Sequence, residues 1–176
     1  MEVNDELSEQ SGEAKAPFDK KVAASMAAIA ASLAIVSVMG QLLANEELLA
    51  QQKASDQWSY YQAKSIRRYD SEIARDLFKA QAGAASAEAS EKYAAAAEKY
   101  RKDDEEIQAE AKKLEAESAS KGRQALRLHF GEIFLEIGIV FASLAILTKR
   151  SAIWMTSLGS SAIGVAIALT ALTISS

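Results

Sequence analysis

The chain has 176 residues, with eight glycines, one proline and no cysteine. The lack of cysteine excludes disulfides, thiolate catalysis and cysteine-ligated zinc or iron–sulfur centres. Its 20 basic and 24 acidic residues give a net charge of -4. They are mixed along the chain, without the basic stripe that displaces counterions from phosphates, so no nucleic-acid partner is expected.

The first element in chain order is an acidic stretch. Residues 1–17 carry little apolar surface to bury and read as a disordered tail. From Val22 to Ala44 there are 23 residues without a charge, bounded by Lys20 and Lys21 before and Glu46 and Glu47 after. As a helix this run reaches about 34 Å, enough to cross a hydrocarbon core of about 30 Å. It is longer than the apolar core of a signal peptide, roughly 7–15 residues. The first transmembrane helix is therefore set at residues 18–44.

Residues 45–126 hold 14 basic and 16 acidic residues and no proline. The pattern continues as helix to about Ala82. The best turn lies in Gly83-Ala84-Ala85-Ser86, and a return helix starts near Ala87. The two arms, about 38 and 40 residues long, match as an antiparallel hairpin requires, and each would reach about 55–60 Å. On the return arm Tyr93, Tyr100, Ile107 and Leu114 recur every seven residues, and Leu128 keeps the register. Ala97, Ala111 and Ala125 fill the second core position of a coiled-coil seam, which Asp104, Ser118 and Lys121 interrupt. The outgoing arm reads as a broader apolar face built from Trp58, Tyr61, Ile66, Tyr69, Ile73 and Leu77. So thin and alanine-rich a seam is expected to gain stability from copies of itself or from a partner.

Two further spans close the chain, at 127–148 and 152–174. Only Lys149, Arg150 and Ser151 lie between them, so they must form a tight antiparallel pair. Trp154 sits where an amphipathic ring suits the membrane interface. Small residues mark all three spans: Ala24, Ala28 and Ser32 on the first, Gly138 and Ala142 on the second, and Ser160, Gly164 and Ala168 on the third. Such stripes let helices approach closely, within one chain or between copies. The expected fold is all-α: an integral membrane protein with three transmembrane helices and a long hairpin between the first and second. Lys15, Lys20, Lys21, Lys149 and Arg150 place the N-terminus and the short loop inside and the hairpin outside, with Lys121, Arg123 and Arg127 opposing.

Three groups of residues invite chemistry. His129, Glu132 and Glu136 fall on one helix face near the start of span two. Carboxylates there are costly, and a candidate ion or proton path competes with simple pairing at the membrane edge. Their donor set is too small for a metal centre without symmetry mates, so no metal is assigned. The second group, Asp56, Gln57, Trp58, Tyr60, Tyr61, Gln62, Lys64, Arg67 and Arg68, is an aromatic and cationic cluster of the kind that anchors interfaces. It competes with a plain hairpin core. The third, Arg101-Lys102-Asp103-Asp104-Glu105-Glu106, reads as a solvated face.

Two passages carry a resemblance. Ala44-Asn45-Glu46-Glu47-Leu48-Leu49-Ala50, followed by Lys53 to Arg67 (KASDQWSYYQAKSIR), resembles the signature of a bacterial membrane-protein family, the domain of unknown function 4337. The Leu-Thr-Lys-Arg junction from Leu147 to Arg150 is similar as well. The resemblance runs from about Phe18 onward. It implies a multi-pass protein of the bacterial inner membrane and brings no activity with it.

No nucleotide-binding loop, nucleophile elbow or zinc-binding helix motif is present in the sequence. The expectation is a non-catalytic, homo-oligomeric scaffold. Its partners would be the lipid bilayer, copies of itself and a possible protein at the hairpin, and no cofactor is expected. A small channel using the carboxylates of span two is the alternative, and a sensor whose aromatic patch binds a ligand is a third reading.

Overall fold

A computed structural model describes the backbone of residues 2–173 and the side chains of residues 17–173. Among the described residues all regular structure is helical, in the order α1 (Glu2–Lys79), α2 (Ala84–Thr148) and α3 (Ser151–Ala171). The tail expected to be disordered lies mostly outside the residues whose side chains are described; the α1 backbone is helical from Glu2. Pro17 sits inside α1, where its ring nitrogen cannot donate to a carbonyl one turn back.

Each of the three helices is long and apolar enough to cross a membrane. Most of each apolar stretch faces away from the rest of the chain, with 11, 28 and 22% of the three stretches buried in turn. The chain divides into two compact units, one of residues 1–45 with 120–176 and one of residues 46–119.

The first unit packs the apolar part of α1 against the C-terminal part of α2 and against α3. One cluster joins Val22, Ala142 and Ala145 with Phe18, Met26, Ile146, Ile153 and Trp154. A second joins Ile29, Val36, Leu128, Leu135, Ala168 and Ala171. Buried alanines leave little side chain between the helices, so the backbones come close. A Cβ added at Gly131 would lie 2.8 Å from the Gly164 carbonyl oxygen. One added at Gly164 would lie 2.7 Å from that of Gly131. Close approach also brings hydroxyls within reach of carbonyls. Ser157 donates to the Gly138 oxygen at 2.7 Å and Ser160 to the Phe134 oxygen at 2.8 Å. The small residues of spans two and three therefore pack within the chain, while Ala24 and Ala28 of α1 face outward.

Two residues, Lys149 and Arg150, join α2 to α3. Lys149 takes a left-handed conformation (φ 55°) to turn so short a corner. Its ammonium pairs with Asp19, and Trp154 donates its indole N–H to Ser25. The N-terminal flank of span one and the short α2–α3 corner thus share one end of this unit.

The second unit is an antiparallel helical hairpin. Its turn occupies residues 80–83, a little earlier than the expected run from Gly83 to Ser86. Gly83 accounts for this: it takes φ 138°, open to a residue without Cβ, and the alanines after it already belong to α2. From the open end to the turn the pairings run in opposite directions without a slip. Ser118 donates to the Glu47 carbonyl and Trp58 to Glu115. Lys64 then bonds Asp103, and Phe78 stacks on Tyr93 near the turn.

The return arm presents the expected residues inward: Ala97, Asp104, Ile107 and Ala111 are buried, and Tyr93, Tyr100 and Leu114 are partly buried. The outgoing arm corrects the expectation. Its inner face is Trp58, Tyr61, Lys64, Ser65, Arg68, Ser71 and Phe78, a largely polar set. Ile66, Tyr69, Ile73 and Leu77, grouped with Trp58 and Tyr61 from sequence, point outward instead. The step from Tyr61 to Ile66 is five residues, which turns the helix about 140° past a full turn and puts the two groups on different faces.

Candidate functional site

The densest polar constellation lies midway along the hairpin. Asp104 falls at a core position of the return arm, four residues after Tyr100 and three before Ile107. It is 3% exposed. A carboxylate there needs partners, because burying an unpaired charge is far costlier than burying a paired one. The outgoing arm supplies them one turn apart: the Ser65 hydroxyl at 3.1 Å and the Arg68 guanidinium at 3.3 Å, both on one carboxylate oxygen. The other oxygen is buried without a hydrogen bond among the described residues.

Next to it Lys64 bonds Asp103 at 2.9 Å and stands 5.5 Å over the rings of Tyr60 and Tyr100. The Asp103 hydrogen bond holds the Lys64 ammonium above its ordinary value of 10.5, against the desolvation that lowers it. Arg68 also lies 4.7 Å over the Tyr69 ring. The layer is built to fix the register of two helices: each cation has an acceptor on the opposite arm.

The aromatic and cationic cluster read from sequence is thus divided. Trp58, Tyr61, Lys64 and Arg68 turn toward the return arm, with the rings of Trp58 and Tyr61 edge to face at 5.5 Å. Asp56 and Arg67 face outward. The charge run on the return arm divides as well. Asp103 and Asp104 join the layer, while Arg101 bridges Glu98 and Glu105 on the surface. Those two carboxylates raise the Arg101 pKa further, and Arg101 in turn lowers that of Glu98. Sequence reasoning noticed Asp104 as a flaw in a seam. It missed Ser65 as its partner, and the signal was available: Lys64, Ser65, Arg68 and Ser71 continue the three-four spacing from Tyr61.

In the other unit, His129 Nδ1 and Glu132 lie 3.2 Å apart. Ser37 of α1 lies beside the Glu132 carboxylate. Gly40 packs against the imidazole, which would stand 3.5 Å from an added Cβ. Glu136 is exposed and is not brought to this pair. Among the described residues no three histidines or carboxylates converge as a metal site would need.

Open grooves line the hairpin. The one nearest Trp58, of about 430 Å³, is bordered by Gln51, Ala54, Ser55, Glu115 and Ser118. None of them gathers the layer's charged groups around an enclosed space. The arrangement orders two helices and offers surfaces.

Comparison with curated proteins and with solved structures finds no significant match. The model of one family matches residues 18–174, a range that takes in residues of both units described above. The chain belongs to the family described as a domain of unknown function, DUF4337.

Proposed function

We propose that this protein is a non-catalytic, membrane-anchored scaffold of the bacterial inner membrane. Its three apolar helices hold it in the bilayer as a homo-oligomer, and its hairpin is a preformed docking element. One observation carries the reading. A polar unit of residues 46–119, ordered by contacts between its own arms, is built from the portions of α1 and α2 that lie in sequence between their apolar stretches. A surface ordered before binding loses less entropy on docking than one that must fold on its partner.

The basic residues support an orientation. Lys20 and Lys21 follow Asp19 just before the apolar stretch of α1, and Lys149 pairs with Asp19, so both basic groups belong to one end of the first unit. The positive-inside rule assigns that end to the cytoplasm and the hairpin to the opposite side. The test uses the absence of native cysteine. Ala82→Cys puts one thiol at the exposed turn, and an impermeant maleimide is added to intact and to opened cells. Labelling of intact cells is expected. Labelling only after opening would reverse the orientation, and release of the protein by alkaline carbonate would end the membrane reading.

A second reading, ion or proton movement, draws on the part-buried Glu132, which pairs with His129 and lies beside Ser37. Its measurement is ion flux in liposomes. Flux abolished by Glu132→Gln would favour it over the scaffold, and absence of flux would end it.

A further inference from the structure

The hairpin has two unlike outer faces. The return arm shows water mainly charges and alanines, and no large apolar side chain of residues 84–119 is exposed. The outgoing arm carries Ile66, Tyr69, Ile73 and Leu77 at 54–61% exposure. Their spacings of three, four and four place them on one side of the helix, away from the face that meets the return arm. The interior beneath them is the Lys64, Ser65, Arg68 and Asp104 layer. Ile66, Tyr69, Ile73 and Leu77 are therefore turned out while Lys64, Ser65 and Arg68 are turned in, the reverse of a hairpin built to stand alone in water.

We propose that this stripe is the contact between hairpins of two copies of the chain. The inference rests on the oligomeric scaffold reading and specifies where its copies meet. Area argues for a second copy. Four half-exposed side chains present on the order of 400 Å² of apolar surface, comparable to the largest patch of an ordinary monomer. A partner arriving from solution needs about 800 Å² on each side. A second copy held in the same bilayer is already concentrated, so a smaller contact suffices. Self-complementarity argues the same way. The stripe offers apolar surface to apolar surface. Arg67 and Asp70 beside it are exposed, opposite in charge, and without an ion-pair partner among the described residues. A second copy offers each of them the opposite sign.

The test uses the full chain in native membranes and in detergent. Ile73→Cys is compared with Lys99→Cys, which places a thiol on the outer face of the return arm. Under mild oxidation Ile73→Cys is expected to give a disulfide-linked dimer and Lys99→Cys several-fold less. In detergent, Ile66→Ser/Ile73→Ser/Leu77→Ser is expected to dissociate roughly tenfold more readily than wild type. Its helical circular dichroism should not change, because these side chains make few contacts within the chain. A wild-type protein that is monomeric in both settings overturns the oligomer reading and this inference together. A wild-type oligomer that survives the triple substitution, with no Ile73→Cys dimer, overturns the stripe alone. Ile73→Cys cross-linked to a different protein, or shielded by lipid and unreactive, also overturns the second-copy assignment.

Discussion

At the scale of single residues, Asp104 has the most to lose. Its carboxylate is almost wholly buried, accepts the Ser65 hydroxyl and pairs with the Arg68 guanidinium of the opposite arm. Asp104→Ala leaves Arg68 facing an apolar gap and should destabilise the protein by about 2–3 kcal/mol, toward the low end for a broken buried pair because Arg68 keeps some access to water. Replacing Ser65, Arg68 and Asp104 together by apolar residues of similar size should recover most of that loss, since the desolvation of both charges is removed as well. Urea unfolding followed by circular dichroism checks both; a triple variant as unstable as Asp104→Ala would show that shape, not charge, governs the layer. Lys64 brings a pH dependence. Its pKa is raised on folding by Asp103, so its contribution is complete below about pH 10.5 and is lost as pH rises through the folded value. The difference in melting temperature between wild type and Lys64→Met should therefore shrink between pH 8 and pH 12, and a constant difference would show that the lysine acts through packing alone.

At the scale of elements, the α2–α3 pair is held by proximity. Helices this close tolerate no new atom where backbone faces backbone. Gly131→Ala and Gly164→Ala each set a methyl under 3 Å from a carbonyl oxygen, and each should cost roughly 1–3 kcal/mol as overpacking does. Gly138→Ala meets the rotatable Ser161 hydroxyl at 2.1 Å and the Ser157 carbonyl at 3.3 Å, so part of its strain can be relieved. Gly159→Ala meets nothing and should be neutral or slightly stabilising, since alanine favours helix. The order of thermal stabilities in detergent tests this ranking; Gly131→Ala as stable as Gly159→Ala would mean the helices separate more easily than their packing implies. The hairpin turn has its own sensitive point. Gly83→Ala places a Cβ at φ 138° and should destabilise by about 1–2 kcal/mol, although there is space around it. Urea midpoints of this variant beside wild type decide that.

At the scale of the whole molecule, polarity is distributed differently in the two units. In the unit of residues 1–45 and 120–176, small residues and hydroxyls face inward and large apolar side chains such as Ile35, Val140 and Leu147 face outward. That is the surface the proposed bilayer setting calls for, since hydrocarbon accepts apolar side chains and helices satisfy their own backbone groups. In the unit of residues 46–119, the return arm is solvated and the outgoing arm keeps an apolar stripe. Each unit leaves apolar surface that the chain itself does not cover. The maleimide and disulfide measurements address these two surfaces separately.

The sequence alone determined three stretches long and apolar enough to cross a membrane, the helical class, the hairpin and the inward face of the return arm. Long apolar runs, free of charge over more than 20 residues in the first and third, and a seven-residue repeat are local properties that no packing partner needs to supply. The family signature was legible for the same reason, as an unbroken string of residues. Only the tertiary structure decided which side of the outgoing arm faces in. There the apolar residues and the polar residues each form a stripe at helical spacing, and periodicity says that two faces exist without saying which one is buried. The choice was made by the other arm: Asp103 and Asp104 require cations, and Lys64 and Arg68 can reach them only if Ile66, Tyr69, Ile73 and Leu77 turn away. The separation of Glu136 from His129 and Glu132 has a similar origin. One helix face holds all three in principle, but Ser37 and Gly40 of α1 meet only the first turn of that face.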